Sequence, residues 1–240
     1  METLLKIVRL KGGLGNQLFI LSKALHMSKN EKIILDVRST FRKDRLPNLE
    51  LVTFLGFKHI GTSSSKYLLS LLEKLGLLQK CHFYIDDYFQ EPSTVENLSP
   101  INAEKLCAFL NLFPHSIRKE CVVHIRLGDF LAYKKEELLS VEYYNDMITM
   151  LPLNLPVRIV TEASREELEN SGFQELLNDD RIILSNASDM LTDFRDIARA
   201  EFVIGSNSTF SFWAAYLGHS LIKKQKIWMG PALNKYERIF

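Results

Sequence analysis

The feature that most constrains the fold is a repeated order of short apolar run, glycine or polar turn, and amphipathic stretch. Leu4 to Leu10 (LLKIVRL) is a β-rich run that stops at Lys11-Gly12-Gly13, a helical pattern follows from about Gln17 to Ser28, and Lys32 to Val37 reads as the next strand. From Glu120 the order restarts. ECVVHIR (120–126), VRIVT (157–161), RIILS (181–185), EFVIG (201–205) and a run near Leu221 to Trp228 read as strands. Helical patterns at Val141 to Met150, Arg165 to Asn170, 188–199 and 208–217 lie between them. Strand, crossover helix, strand is the order of a parallel α/β sheet with helices on both faces. The sequence therefore predicts two small α/β lobes, 1–116 and 117–240, meeting near residues 114–119.

Within the first half, residues 63–78 place Leu68, Leu69, Leu71, Leu72, Leu75 and Leu78 around one helix, with Ser63 to Ser65 as N-caps. A core-packing helix is expected, because Lys66 and Lys74 alone are few basic anchors for a membrane-surface helix, which stays the minor option. Cys81 to Asp86 reads as a strand and Asn102 to Leu112 as a helix. The 30 Lys+Arg against 29 Asp+Glu leave a net charge of +1, which excludes a polybasic nucleic-acid binder. Cys81, Cys107 and Cys121 are never spaced as C-x-x-C, so neither a disulfide framework nor a zinc site is expected. With no signal-like segment and no apolar stretch near the roughly 20 residues of a span, a cytoplasmic protein is expected.

Ligands in open α/β sheets bind outside the carboxyl ends of the strands, so the residues after each strand carry the functional expectation. After the first strand comes Gly12-Gly13-Leu14-Gly15-Asn16-Gln17. Glycines there let backbone amides approach a ligand at a helix N-terminus. A tight turn with no ligand explains them equally well, and the segment is neither a Walker A loop nor a strict G-x-G-x-x-G. After the strand at 120–126 comes His124-Ile125-Arg126-Leu127-Gly128-Asp129. Alternation puts His124 and Arg126 on one face, and a buried arginine demands an anion. Either a phosphate or an Arg126–Asp129 ion pair meets that demand. After the strand at 201–205, Ser206-Asn207-Ser208-Thr209-Phe210 opens a helix with hydroxyls, amides and the positive dipole end. Three polar strand ends in one chain favour a diphosphate site, and a nucleotide sugar is one candidate.

Four segments, GGLGNQLF (12–19), YIDDYFQ (84–90), HIRLGD (124–129) and SNSTFSFWAAYLG (206–218), together resemble the α-1,2-fucosyltransferase family, glycosyltransferase family eleven. The resemblance implies a GT-B-like fold of two Rossmann-like lobes with parallel sheets and the active site in the cleft between them. It implies an acceptor-side lobe at 1–116 and a GDP-fucose-binding lobe at 117–240. It further implies GDP-β-L-fucose as donor, a galactoside acceptor, inversion at the anomeric carbon, and no cofactor or required metal. Carried over by position, Arg126 contacts the donor diphosphate, His124 lies against the nucleoside, and Asn207, Ser208 and Thr209 supply helix-end phosphate contacts beside Phe210. Gly13, Gly15, Asn16 and Gln17 are further candidate binding residues, and Asp193 matches the acid that reads guanine in the wider superfamily. Leu127 stands where a second arginine is usual, and Asp87 where YxDGYFQ has glycine. Asp129 is the expected catalytic base, with Glu136 and Glu137 as alternatives. The acceptor pocket is expected in loops 38–48 and 130–140. A bacterial enzyme acting on a lipid-linked glycan or polysaccharide repeat, with peripheral contact at the inner membrane face as an option, is the leading expectation. A transferase with another nucleotide sugar and a non-catalytic nucleotide-sugar or glycan binder are the rivals.

Overall fold

The computed structural model describes residues 4–38, 46–62, 64–112, 117–128, 135–185, 189–222 and 225–239. The chain divides into two compact units, Met1–Phe109 and Leu110–Phe240, each built on one parallel sheet. The boundary expected at 116/117 borders residues 113–116, which lie outside the described residues.

In the first unit, β1 (Leu5–Arg9), β2 (Lys32–Asp36), β3 (Lys58–Ile60) and β4 (Tyr84–Ile85) pair in parallel in the order β3-β2-β1-β4. The helix Leu14–Met27 is buried through Leu18, Phe19, Ile20 and Leu21, which marks it as covered on more than one side. Shorter pieces escaped the sequence reading. The helix Leu49–Phe54 is too short to show periodicity; it is fixed by Asn48, whose side chain accepts from the Leu51 N–H at 2.9 Å, and by burial of Leu51 and Val52. The strand β3 and the helix Pro92–Glu96 are shorter still.

In the second unit, β5 (Arg118–His124), β6 (Val157–Val160), β7 (Ile182–Leu184), β8 (Ala200–Ile204) and β9 (Lys226–Trp228) form a parallel sheet in the order β7-β6-β5-β8-β9. The central strand β5 is fully buried at Cys121, Val122 and Val123, as a parallel sheet covered on both faces requires. One face packs Cys121, Val123, Ile159 and Ile204 against Tyr144 and Ile148 of the helix Val141–Thr149 and against Leu168 and Phe173. The predicted helix at 165–170 runs further, through a wide turn at Glu169–Phe173 kinked at Gly172 (φ +91°), to Leu177. By alternation Val122 and Val203 face the other side. The helices Met190–Arg199 and Thr209–Ile222 touch at Gly218, whose Cα lies against the Ala198 carbonyl with no room for a Cβ. Gln225 Nε2 donates to the Ala198 and Ala200 carbonyls at 3.0 and 2.8 Å, closing the end of the first of these helices. A 3-10 helix at Pro231–Ile239, not foreseen in the sequence, ends the chain and buries Tyr236 against Phe212, ring centroids 4.4 Å apart.

The carboxyl end of β2 holds a buried charge cluster that no motif announced. Asp36 is 0% and Arg38 3% exposed, and they meet at 2.7 Å, Arg38 Nη2 to Asp36 Oδ2. The Tyr84 hydroxyl closes a ring, accepting from Arg38 Nη2 at 2.8 Å and donating to Asp36 Oδ2 at 2.6 Å. Arg38 Nη1 also meets Glu73 at 3.0 Å, and Glu73 in turn pairs with Arg9. Burial alone lowers the Arg38 pKa, but the hydrogen bond and charge of Asp36 outweigh it and the net direction is up. Burial and the Asp36 hydrogen bond push the Tyr84 phenol up as well. Gly61 (φ +98°) lies against this cluster, and a Cβ there would stand 2.8 Å from Arg38 Cγ.

Removing one partner of a buried ion pair leaves the other uncompensated. Asp36→Ala is therefore expected to lower unfolding free energy by about 3–5 kcal/mol in urea titrations. A loss below about 1 kcal/mol, the size of a surface pair, would contradict the buried-pair account.

Candidate functional site

In the second sheet the strand order reverses at β5, with β6 on one side and β8 on the other. A doubly wound sheet opens its ligand crevice at that switch, outside the carboxyl ends. Val123 pairs with Ile204, so the chain leaves the two strands side by side at His124 and Gly205. His124 is only 3% exposed, and its Nδ1 lies 2.9 Å from the hydroxyl of Ser206, itself buried, so one hydrogen bond bridges the switch. Burial, with the Arg126 charge adding to it, pushes the imidazole down to about 3, so it is neutral at ordinary pH. The Phe210 ring packs against it at 5.7 Å between centroids. Tyr143 reinforces the exit of β8 by donating its hydroxyl to the Gly205 carbonyl at 3.2 Å.

The sequence placed Arg126 on the strand; in the structure the strand ends at His124 and Arg126 stands two residues beyond it, half-buried. Ile125 and Leu127 continue the apolar face of the strand into the core, and this anchorage turns the intervening Arg126 away from it. Leu127, where the resemblance has a second arginine, is thus a core residue. Arg126 Nη1 lies 3.4 Å from Glu162 Oε1, and the Glu162 side chain rests against Gly128, where a Cβ would push it aside. The demand for an anion is met by Glu162 from the end of β6. Asp129, expected as base and as the alternative ion-pair partner, lies outside the described residues, as do 39–45 and 130–134 of the expected acceptor loops.

Beyond β8, Ser208 caps the helix Thr209–Ile222, its hydroxyl accepting from the Phe210 N–H at 3.2 Å. Thr209 and Phe210 are half-buried at its first turn. The Asn207 amide is engaged within the protein: Nδ2 donates to the Glu137 carbonyl at 2.9 Å and Oδ1 accepts from the Ala232 N–H at 3.0 Å. It ties the turn Lys135–Glu137, which carries Glu136 and Glu137, and the terminal 3-10 helix to the end of β8. Asp193 is half-buried in the first turn of the helix Met190–Arg199, next to Phe194, whose ring stands edge-on to Phe210 at 5.3 Å. His124, Arg126, Ser208, Thr209 and Phe210 thus gather at one end of one sheet, with Asp193 one residue from their aromatic wall.

Gly13, Gly15, Asn16 and Gln17 belong to the first unit, where β1 and β4 form the corresponding switch. Gly12 needs its positive φ (+79°) for the turn, while the space around Gly13, which precedes the helix without a side-chain cap, is open. Gln17 is a buried clasp: Nε2 donates to the Gly12 and Leu46 carbonyls at 2.8 and 2.9 Å, and Oε1 accepts from the Asn48 N–H at 2.8 Å. Asn16 Oδ1 accepts from Gln90 Nε2 at 2.9 Å, joining segment 12–19 to segment 84–90 across the switch. Asp87, in the glycine's place, accepts from the Phe89 N–H at 3.0 Å and so stabilises the positive φ of Phe89 (52°).

Glu162 and the Ser206–His124 bond were not assigned from sequence. Glu162 follows β6 as Arg126 follows β5, so the strand-end rule applied to every strand reaches it; the Ser206 bond depends on parallel pairing of strands 82 residues apart. Among the described residues no three His, Cys, Asp or Glu side chains gather to hold a metal ion. Chemically, the second unit offers an anion one guanidinium, a hydroxyl-capped helix start and a neutral imidazole behind them.

With a folded-state pKa of about 3 against an unfolded value near 6.5, His124 takes up a proton only on unfolding between those pH values. Stability conferred by the neutral ring is full above pH ~6.5 and is lost as pH falls, at up to about 1.4 kcal/mol per pH unit. His124→Gln should unfold with a shallower dependence across that window; parallel pH profiles for variant and wild type would contradict a buried neutral imidazole.

No protein-family model and no curated protein matches the chain. Among solved structures it is similar to the E. coli heptosyltransferase WaaC with ADP, at 11% identity and a TM-score of 0.48, covering 94% of this chain and 91% of that one. It is also similar to the NodZ α-1,6-fucosyltransferase soaked with GDP-fucose, at 16% identity and TM-score 0.44, covering 89% of this chain and 92% of that one. The Bradyrhizobium fucosyltransferase NodZ gives 15% identity and TM-score 0.46, with coverage of 90% and 94%. At these identities and scores the likeness transfers no residue role to this chain.

Proposed function

We propose that the protein is a GT-B-type inverting glycosyltransferase that moves L-fucose from GDP-β-L-fucose to the 2-hydroxyl of a galactoside in a surface glycan or polysaccharide repeat. The observation that carries this reading is Arg126, which follows β5 with its neighbours Ile125 and Leu127 anchored in the core, at the sheet switch where β8 leads into the hydroxyl-capped helix Thr209–Ile222. The four fucosyltransferase-like segments support the choice of donor. In the reaction the acceptor oxygen bonds to the anomeric carbon as its bond to the β-phosphate oxygen breaks. The electron pair leaves on GDP and the hydroxyl proton passes to a base. Arg126 and the helix start stabilise the charge growing on GDP. Glu162 holds Arg126 in the absence of donor, and the diphosphate takes over that contact. His124, buried and neutral, supports the site through Ser206. Asp129 is the proposed base, with Glu136 and Glu137, on the turn tied to Asn207, as alternatives.

Leu127 in the core leaves one arginine where the resemblance has two, which favours a second reading: a different nucleotide sugar, or binding without turnover. A donor panel with β-galactoside acceptors separates these. Transfer from GDP-fucose is expected, and turnover of another nucleotide sugar in its place would refute the donor assignment. Arg126→Ala should lower transfer by roughly 100-fold or more and abolish GDP binding in calorimetry. Asp129→Asn should lose transfer and keep GDP binding. Intact GDP binding by Arg126→Ala overturns the diphosphate site.

A further inference from the structure

Three segments of the second unit meet at the residue between the two buried serines that follow β8. Ser206 and Ser208 are buried, and Asn207 between them is half-buried. Its side-chain nitrogen donates to the Glu137 carbonyl at 2.9 Å, and its side-chain oxygen accepts from the Ala232 N–H at 3.0 Å. The oxygen also rests against Gly230, where a Cβ would push both Asn207 Oδ1 and Leu139 Cδ1 aside.

Each segment is anchored close to this junction. Leu138 and Leu139 pack against the core, and Ser140 then caps the helix Val141–Thr149, accepting from the Tyr143 N–H at 3.3 Å. On the other side Trp228 stacks on Phe202, its carbonyl accepts from the Gly205 N–H at 2.7 Å, and the Met229 sulfur lies against Gly205. The Gly230 carbonyl accepts from the Leu233 N–H at 2.8 Å. The turn Lys135–Glu137 differs from its neighbours: it is a single 3-10 turn with no buried side chain, and it carries two carboxylates, Glu136 and Glu137. Three residues of 3-10 helix do not hold themselves in place, so the bond to the Glu137 carbonyl sets where this turn stands.

A helix start binds phosphate through its backbone N–H groups, which owe nothing to the Asn207 side chain. That side chain is oriented by two protein partners on different segments. We propose that Asn207 is a positioning residue for the transfer reaction. It holds the carboxylate-bearing turn and the segment 229–233 against the end of β8, and it leaves the diphosphate to Arg126 and the helix start. The inference rests on the reading that a nucleoside diphosphate binds at this switch.

The test compares the wild type with Asn207→Ala, which removes both bonds, and with Gly230→Ala, which forces the same junction apart and keeps the amide. In hydrogen–deuterium exchange without nucleotide, both variants should exchange faster at 135–139 and 229–233. In calorimetry Asn207→Ala should bind GDP within about twofold of the wild type. With GDP-fucose and acceptor, kcat should fall by about tenfold in both variants while the donor KM stays within about threefold, because the turn is misplaced and the donor contacts are not. A loss of GDP affinity of about tenfold or more in Asn207→Ala, the mark of a charge-assisted hydrogen bond removed, makes Asn207 a phosphate contact and overturns the proposal. Unchanged exchange at 135–139, or unchanged kcat, overturns it as well. A wild type that binds no GDP refutes the reading of the site, while the exchange comparison, made without nucleotide, still decides the junction.

Discussion

One hydrogen bond between two buried side chains, His124 and Ser206, joins the ends of the two central strands of the second sheet at the point where strand order reverses. Everything proposed for the site depends on that junction. It sets the exit of β5, from which Ile125 and Leu127 drop into the core and Arg126 turns outward. It also sets the exit of β8, from which Ser208 starts a helix. A charged imidazole could not occupy this position, and the depressed pKa is the electrostatic signature of the same burial.

The first unit solves an equivalent problem differently. Its switch is bridged by two side-chain amides, Gln90 to Asn16, while Gln17 fastens the glycine turn to Leu46 and Asn48. These amides look from sequence like ligand contacts because they stand where ligands bind; in the structure three polar contacts of Gln17 also satisfy the backbone of a loop lacking regular structure. The open surface at Gly13 remains the feature there that a ligand could approach.

Long elements were legible in the sequence because buried parallel strands are continuous apolar runs and their crossover helices carry a 3.6-residue pattern. The strands at 157–160 and 200–204 and the helix Val141–Thr149 fall within a residue or two of where the pattern puts them. What could not be read was pairing across long separations: Glu162 with Arg126, Ser206 with His124, and the Asp36–Arg38–Tyr84 ring. The first two need the strand order before their members become neighbours, and in the third Asp36 and Arg38 are local but Tyr84 reaches them only through the pairing of β4 with β1. The helix at 64–74 was legible as a helix but its covered side was not: Leu69 is buried while Leu68 and Leu71 are exposed, because leucines spread around a helix record apolarity but not which side is covered.

The central claim is that a nucleoside diphosphate binds at the carboxyl end of the second sheet, and hydrogen–deuterium exchange of the full chain with and without GDP tests it most directly. The account predicts slowed exchange concentrated at 124–128 and 205–211, with the strands themselves unchanged because they are already protected. Protection confined to the first unit, or none at saturating GDP, would contradict it.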